Sequence, residues 1–415
     1  MQTPESTAQA VSKGEAIALE YIPGSGYSFP VVVGNQTITL KVVSGVEGIV
    51  LFDDGSSACQ KATTNALCYD PRLSSTAIWC DNTEVCIPGK DDFECNEVKS
   101  SESINAATTT DFRSEGVAHH METVEGYENI SIRNASLFLP VTFERMPVKL
   151  AKNVTVGANL PVTKGAGGFF GLYGHSVSCR ERSLWAEMLA KYQGFYTIDI
   201  YGDAVTDTVD PSEQVNSIRL GLDFVQKQDV MWAEKRQVGG IFTDASIEFS
   251  AYEMSMCGVN LFGKTSSYWQ VAIDLTSQCL VLPKNFWFTL MAQLPVVEGC
   301  YLKESPKMCA IRLDGAKKLP MLTFKLRQMT DDLILSIPLQ NLLLDNTDNP
   351  TLCIVPDEDT PVPPVFTDRP SIKFGYKVLE ALQVVVDTNG YRVGFVHKQS
   401  ADTANDICVK PVQCV

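Results

Sequence analysis

Two aspartates in this chain follow directly on runs of apolar residues, one in each half of the sequence. Asp53 follows one run and Asp274 the other, and a serine comes three residues after each, at Ser56 and Ser277. A carboxylate at the end of a buried strand is costly unless it is hydrogen-bonded, so two such sites indicate a functional or a strong structural role. If two related halves of the fold bring them together, they form a carboxylate pair suited to acid and base catalysis.

The elements that must position these aspartates are predicted to be mainly β-strands. Runs rich in β-branched and aromatic residues alternate with turn residues at short spacing, which is typical of all-β sandwiches and barrels. The clearest runs cover residues 29–33, 37–43, 49–52, 196–201 and 382–386. Helices are predicted at 182–192 and 285–294. Loops are predicted at 202–217 and 356–370, where polar residues and prolines concentrate.

Composition narrows the class of protein. A chain of 415 residues with 45% hydrophobic content can bury two domain-sized cores. The formal net charge of -15, from 34 basic and 49 acidic residues, repels phosphate backbones and anionic lipid surfaces, so we expect no nucleic-acid partner. No apolar stretch reaches the roughly 18 to 20 residues that a membrane span needs.

Cysteines and glycosylation sequons indicate the secretory pathway. The chain has 13 cysteines, five of them within its first hundred residues, which favours disulfides and an oxidising compartment. A zinc site is the alternative, but no Cys-x-x-Cys pair with a matching second pair occurs. Four Asn-x-Ser/Thr sequons lie at Asn35, Asn129, Asn134 and Asn153. We expect a secreted protein or one in a secretory-pathway or lysosome-like compartment.

Eight short segments follow one another along the chain in a recognisable order. They cover residues 28–34, 53–57, 69–76, 168–172, 272–283, 319–324, 372–375 and 384–395. In this order they resemble landmarks of the pepsin-like aspartic peptidases, and the resemblance covers nearly the whole chain. It implies a bilobal all-β fold of two related β-barrel-like lobes with a cleft between them. It also implies that Asp53 and Asp274 form a dyad sharing one proton, with Ser56 and Ser277 bonded to the outer carboxylate oxygens.

The resemblance also implies a division of the chain. We expect an N-terminal tail at 1–13, an N-terminal lobe at 14–194, a C-terminal lobe at 195–398 and a C-terminal tail at 399–415. Asp53 belongs to the first lobe and Asp274 to the second. A disulfide between Cys309 and Cys353 is implied for the second lobe, and further cysteines near the end of the chain could pin the C-terminal tail.

The surroundings of both aspartates depart from the family pattern. The threonine that follows each aspartate in the family is replaced by Asp54 and Leu275. Leucine cannot donate a hydrogen bond, and an ionised Asp54 would add a third negative charge beside the dyad. The signature glycine is kept at Gly55 but replaced by Thr276, whose branched side chain is expected to intrude on the water site or displace the loop.

The hairpin that covers the cleft in the family is also altered. The nearest segment is 110–116, where Arg113 stands in place of the family's tyrosine, with Phe112 beside it. His119 and His120 follow, and although a metal site there is conceivable, a solvated hairpin is the simpler interpretation. We expect no metal and no cofactor.

Three functions are compatible with this sequence. The first is an aspartic-peptidase homologue with a degenerate active site, inactive or impaired, that binds a protein or peptide in the cleft between the lobes or on a lobe surface. The second is an active aspartic endopeptidase of acidic compartments, because both aspartates and both serines are present. The third is an inhibitor of another secreted hydrolase, as in plant proteins that resemble pepsin but lack its working dyad.

Overall fold

The computed structural model describes most of the chain between residues 15 and 398. Gaps of five or more residues fall at 60–67, 81–96, 99–107, 133–140, 157–164, 173–182, 203–214, 222–229, 263–267, 301–307, 314–318, 328–332 and 358–371, with shorter gaps between them. The two predicted tails and most of the two predicted loops therefore lie outside the described residues.

Most of the described structure is β-strand, as the sequence predicted. The first half contains β1 (Glu15–Ala18), β2 (Glu20–Ile22), β3 (Gly26–Val33), β4 (Gln36–Val43), β5 (Ile49–Phe52), β6 (Ile78–Cys80), β7 (Glu97–Val98), β8 (Thr108–Ser114), β9 (Val117–Ile132), β10 (Val141–Val156) and β11 (Gly168–Gly171). The second half contains β12 (Phe195–Asp199), β13 (Ser217–Leu220), β14 (Met231–Glu234), β15 (Gln237–Val238), β16 (Ile241–Phe242), β17 (Glu248–Ala251), β18 (Glu253–Met256), β19 (Val259–Asn260), β20 (Trp269–Asp274), β21 (Leu280–Pro283), β22 (Cys309–Ala310), β23 (Met321–Lys325), β24 (Ile334–Pro338), β25 (Thr351–Leu352), β26 (Ile354–Asp357), β27 (Ile372–Gly375), β28 (Leu382–Asp387) and β29 (Arg392–His397).

Three α-helices accompany the strands in the described part of the chain: α1 (Leu184–Lys191), α2 (Lys284–Met291) and α3 (Tyr376–Leu379). The first two confirm the helices predicted from sequence. The Ser183 side chain caps α1 by accepting a hydrogen bond from Ala186 N–H at 3.2 Å. Trp185 and Met188 lie on the buried face of this helix, as its apolar spacing predicted.

The strands form two large sheets and several smaller ones. A ten-stranded sheet has the order β2-β3-β4-β11-β5-β10-β9-β6-β7, with β8 paired to β9. A six-stranded sheet, β1-β13-β12-β28-β29-β14, joins strands from both ends of the described chain, and a five-stranded sheet has the order β17-β20-β27-β21-β26. A large hydrophobic core cluster runs through these sheets, and a smaller one, which includes Val43, Val50 and Phe169, lies in the ten-stranded sheet. The predicted lobe boundaries stay predictions.

Three disulfides join pairs of described cysteines, and they correct one predicted pairing. Cys309 is bonded to Cys300 and Cys353 to Cys279, so the predicted Cys309–Cys353 bond is wrong. The two cysteines are near neighbours because β22 pairs with β25, which ends directly before Cys353. In the first half, Cys59 is bonded to Cys68. Disulfides fit the predicted passage through an oxidising compartment. Among the described residues, no helix is long and apolar enough to cross a membrane.

A buried carboxylate, Glu128, organises the segment that follows the Cys59–Cys68 loop. Its side chain is fully buried and accepts hydrogen bonds from Tyr69 OH at 3.2 Å, from Thr76 Oγ1 at 3.0 Å and from the hydroxyl of Ser74. Burial and the nearby Glu128 charge raise the pKa of Tyr69, which keeps its phenol a hydrogen-bond donor. These donors offset the cost of burying the charge.

We expect Glu128→Ala to lower the free energy of unfolding by about 3 kcal/mol, because it leaves the buried Tyr69 hydroxyl and the half-buried hydroxyls of Ser74 and Thr76 without their acceptor. Urea denaturation measures the change. Tyr69→Phe removes one donor and should cost about 1 kcal/mol. Glu144→Gln, at an exposed position of the neighbouring strand, is the control. A Glu128→Ala variant as stable as this control would contradict the assignment.

The sequons differ in how the fold presents them. Asn35 is exposed in the two-residue turn between β3 and β4, where Gly34 and Asn35 have φ angles of 50° and 71°, as in a type I′ turn. Asn129 is half-buried on β9, and its side-chain oxygen accepts a hydrogen bond from Arg145 N–H at 2.9 Å. Asn153 is exposed. Asn134 lies outside the described residues.

For protein secreted from a glycosylating cell, we expect Asn35→Gln to remove one glycan and Asn129→Gln to remove none. An exposed turn accommodates a bulky sugar, whereas a half-buried, bonded amide does not. Intact-mass measurement before and after glycosidase treatment gives the result. A glycan found on Asn129 with Asn35 bare would contradict this prediction.

Candidate functional site

The Asp274 carboxylate ends β20 and is held by the two residues that follow Leu275. Thr276 donates twice to Oδ1, from its N–H at 2.9 Å and from its hydroxyl at 2.5 Å, and the Ser277 hydroxyl donates to Oδ2 at 2.9 Å. The Asp274 side chain is buried. A carboxylate has about four lone-pair sites, so these three donors occupy most of its capacity. The predicted support by Ser277 is confirmed. Thr276, expected to intrude on the water site or to displace the loop, occupies an acceptor site on Oδ1 that a water would need.

Strand β27 runs beside this loop and ends in a glycine that the loop requires. It lies parallel to β20, with Gly375 opposite Asp274. A Cβ on Gly375 would lie 2.6 Å from Ser277 O and 2.3 Å from Cys279 O, so only glycine fits there. Tyr376 N–H donates to Ser277 O at 2.9 Å, which ties the loop to the start of α3.

The order of strands around Asp274 in the five-stranded sheet also occurs in the ten-stranded sheet, and this repeat identifies the counterpart of Asp274. The five-stranded sheet has the order β17-β20-β27-β21-β26, and the matching strands of the ten-stranded sheet are β3-β4-β11-β5-β10, so β4 corresponds to β20 and β11 to β27. In both sets the third strand is parallel to the second and antiparallel to the fourth. Gly171 of β11 lies opposite Val43 of β4, as Gly375 lies opposite Asp274.

The packing of the two glycines agrees with this correspondence. A Cβ on Gly171 would lie 1.7 Å from Val46 O and 3.1 Å from Gly48 O. These residues come three and five positions after Val43, just as the residues that crowd Gly375 come three and five positions after Asp274. Val43, and not Asp53, therefore occupies the position that corresponds to Asp274. Val43 is buried and carries no carboxylate.

Asp53 lies at the opposite edge of its sheet, which corrects its predicted equivalence with Asp274. Since β4 is parallel and β5 antiparallel to β11, the end of β4 lies at the same edge as the start of β5. Asp53 follows the end of β5, four residues further along, and at about 3.3 Å per residue this is about 13 Å from that edge. There Asp53 pairs with Tyr69 in an isolated bridge, and its N–H donates to Ala151 O at 3.1 Å.

The residues around Asp53 are bonded differently from those around Asp274. Among the described residues, the Asp53 carboxylate accepts one hydrogen bond, from Gly55 N–H at 3.0 Å. The Ser56 hydroxyl accepts from Cys59 N–H at 3.3 Å, and within the described chain it does not donate to Asp53 as predicted. Asp53 is half-buried, whereas Asp274 is buried. The two aspartates therefore have different environments and different roles in the fold.

Asp54 and Leu275, the residues that directly follow the two aspartates, also differ. The Asp54 side chain is 58% exposed and lies 3.8 Å from the Arg72 guanidinium, so its charge is solvated at the surface. Leu275 is fully buried. A Cβ on Gly26 would lie 3.3 Å from Leu275 O. Strands β3 and β4 are antiparallel and Ser28 lies opposite Lys41, so Gly26, two residues before Ser28, lies beside Val43 at the end of β4. The Asp274 loop therefore contacts the ten-stranded sheet at the end of β4.

Aromatic side chains reinforce this contact between the two halves. Tyr21 and Tyr27, from β2 and β3, pack on Tyr376 at ring-centroid distances of 5.6 Å and 5.4 Å. The hydroxyls of Tyr21 and Tyr376 lie 3.0 Å apart. Because Tyr376 directly follows Gly375, this cluster fixes the Asp274 loop against the first sheet.

The predicted hairpin is present as β8 and β9, with Ser114 opposite Val117. Phe112 and Arg113 lie on β8, but their side chains are outside the described structure, as are those of His119 and His120 on β9. No group of three or more metal-ligating side chains occurs among the described residues.

Val43 carries no carboxylate, so no motif in the sequence indicates its correspondence with Asp274. Six positions separate Asp274 from Leu280, where β21 begins, and six separate Val43 from Ile49, where β5 begins. This equal spacing was the signal available in the sequence. Asp53 was predicted as the counterpart because Gly55 and Ser56 follow it.

No family model matches the chain, and a comparison with curated proteins found no match.

Proposed function

We propose that this chain is a pepsin-like protein of two lobes that binds a protein or peptide between them and does not hydrolyse it. The observation that carries this proposal is Val43, a buried hydrocarbon side chain at the position corresponding to Asp274. Aspartic-peptidase chemistry needs two carboxylates that share one proton, one acting as base on a water while the other protonates the scissile carbonyl. A single carboxylate cannot do both.

The remaining carboxylate is also poorly arranged for catalysis. Thr276 donates two of the three hydrogen bonds that Asp274 accepts, both to the same oxygen. A general base must hold the water from which it takes a proton within hydrogen-bond distance. The threonine hydroxyl competes with that water for Oδ1. Asp274 therefore serves the loop as a structural acceptor.

Binding is supported by what the chain retains. The loops after β4 and β20 are both closed by a strand ending in glycine, and the contact of Gly26 with Leu275 keeps them together. The tyrosine cluster of Tyr21, Tyr27 and Tyr376 adds buried area at the same junction. A rigid junction between two related halves is the kind of place where ligands bind in other proteins.

The first test is for hydrolysis. Glycosylated protein is incubated with a denatured protein substrate between about pH 3 and 6, the range in which a carboxylate dyad is singly protonated. We expect no cleavage that pepstatin inhibits. Pepstatin-sensitive cleavage that Asp274→Asn abolishes would overturn the proposal and favour the active endopeptidase.

The second test is for binding. A random peptide library displayed on phage is selected on the chain, and hydrogen exchange is measured with a selected synthetic peptide. We expect protection of the backbone amides in the loops after β4 and β20. Protection confined to surfaces away from both loops would contradict binding at this junction. Inhibition of another secreted hydrolase stays an untested alternative.

A further inference from the structure

Met308 places its thioether against the disulfide that lies beside the Asp274 loop. Its Sδ lies 3.7 Å from Sγ of Cys279, which is bonded to Cys353. Its backbone oxygen lies 3.4 Å from Sγ of Cys300, which is bonded to Cys309. Met308 therefore lies between two disulfides and contacts both.

Exposure distinguishes Met308 from the other described methionines. It is 39% exposed, whereas Met121, Met254 and Met291 are fully buried. Met188 and Met256 are also buried, and Met146, Met231 and Met321 are half-buried. Oxidation of a thioether requires that the oxidant reach the sulfur. Among the described methionines, Met308 is the most accessible to an oxidant in solution.

The disulfide that Met308 covers is part of the Asp274 loop. Cys279 comes five residues after Asp274, its side chain is 7% exposed, and its carbonyl oxygen is packed against Gly375. Cys353 is fully buried and follows β25. Met308 thus contacts the disulfide bond that holds the end of the loop.

We propose that Met308 is an oxidation site for hydroperoxides, and that its oxidation opens the Cys279–Cys353 disulfide to thiols. A lone pair on Sδ attacks the terminal oxygen of the hydroperoxide, and the S–O bond forms as the O–O bond breaks. The second oxygen takes the proton that the transferred oxygen gives up and leaves as water from hydrogen peroxide, or as an alcohol from an organic hydroperoxide. The sulfur loses two electrons and the peroxide gains them. The product, a sulfoxide, is polar and draws water, so it no longer shields Cys279 as the apolar thioether does.

The first measurement is the site of oxidation. The full chain is treated with limiting hydrogen peroxide, and peptide mass spectrometry gives the rate of oxygen addition at each methionine. We expect Met308 to react about ten times faster than Met254 and Met291, because Met308 is an exposed residue and the other two are fully buried. Equal rates at Met308 and these two buried methionines would overturn the proposal.

The second measurement is the opening of the disulfide. Peroxide-treated and untreated protein is exposed to dithiothreitol, and alkylation with mass spectrometry follows each disulfide. We expect Cys279–Cys353 to be reduced about three times faster after oxidation, while Cys59–Cys68, in the other half, is unaffected.

Two variants assign the effect to one sulfur. Met308→Leu keeps an apolar side chain but cannot form a sulfoxide, so peroxide should no longer accelerate reduction of Cys279–Cys353. Met321→Leu, at a half-buried methionine of β23, should respond as the unaltered chain does. Peroxide acceleration that persists in Met308→Leu would overturn the proposal. The inference does not depend on the proposed function, and neither measurement requires a ligand.

Discussion

Asp274→Ala is expected to lower the free energy of unfolding by about 3 kcal/mol, and Asp53→Ala by about 1 kcal/mol or less. The Asp274 carboxylate is buried and accepts three hydrogen bonds, so its removal leaves the Thr276 N–H and the hydroxyls of Thr276 and Ser277 without their acceptor. Asp53 is half-buried, and its carboxylate accepts one hydrogen bond from the described residues. Urea denaturation at neutral pH measures both variants.

The stabilities of Asp274→Ala and Asp53→Ala distinguish a symmetric carboxylate dyad from two aspartates with different structural roles. A symmetric dyad predicts similar environments and similar effects for both, whereas the structure predicts a marked difference. Ser277→Ala is the matched control, because it removes one of the three donors and should cost about 1 kcal/mol. If Asp53→Ala lowered the free energy of unfolding as much as Asp274→Ala does, the different structural roles assigned to the two carboxylates would be wrong.

Val43→Asp is expected to destabilise the protein strongly, and Asp274→Asn is expected to relieve part of that loss. The substitution places a carboxylate at a buried position, which costs about 3 kcal/mol or more at neutral pH. If Val43 corresponds to Asp274 across the junction, the new charge also repels that of Asp274. A double-mutant cycle should then give a coupling energy of about 1 to 2 kcal/mol.

The control for this cycle is Val42→Asp, one residue earlier on the same strand. Val42 is fully buried but belongs to the larger core cluster, whereas Val43 belongs to the smaller one, so the two side chains face opposite sides of the sheet. Val42→Asp should show no coupling to Asp274→Asn. Equal coupling for both variants, or coupling of Val43→Asp to Asp53→Asn instead, would refute the correspondence.

Local features of the fold followed from local sequence. The runs at 29–33, 37–43 and 49–52 form parts of β3, β4 and β5 because their β-branched residues suit a pleated, buried surface. Ser183 begins a helix because its hydroxyl accepts from Ala186 N–H. Ser277 supports Asp274 because three residues of loop suffice to bring a hydroxyl back to the carboxylate.

Pairings between distant residues did not follow from sequence. The resemblance implied a bond between Cys309 and Cys353, yet each of them bonds to a different cysteine. Cysteine spacing does not determine connectivity, which depends on the strands that bring particular Cβ atoms together. Here the pairing of β22 with β25 brings Cys309 and Cys353 close together, but Cys309 bonds to Cys300 and Cys353 bonds to Cys279.

The two aspartates also separate what local sequence determines from what depends on distant strands. The sequence by itself determined that Asp53 and Asp274 each follow a run of apolar residues and that a serine comes three residues after each of them. Only the tertiary structure decided which residue corresponds to Asp274, because β11 inserts between β4 and β5 and sets Gly171 opposite Val43. A strand pattern shows which side chains face the core, but it does not show which strands are neighbours or at which edge of the sheet each one ends.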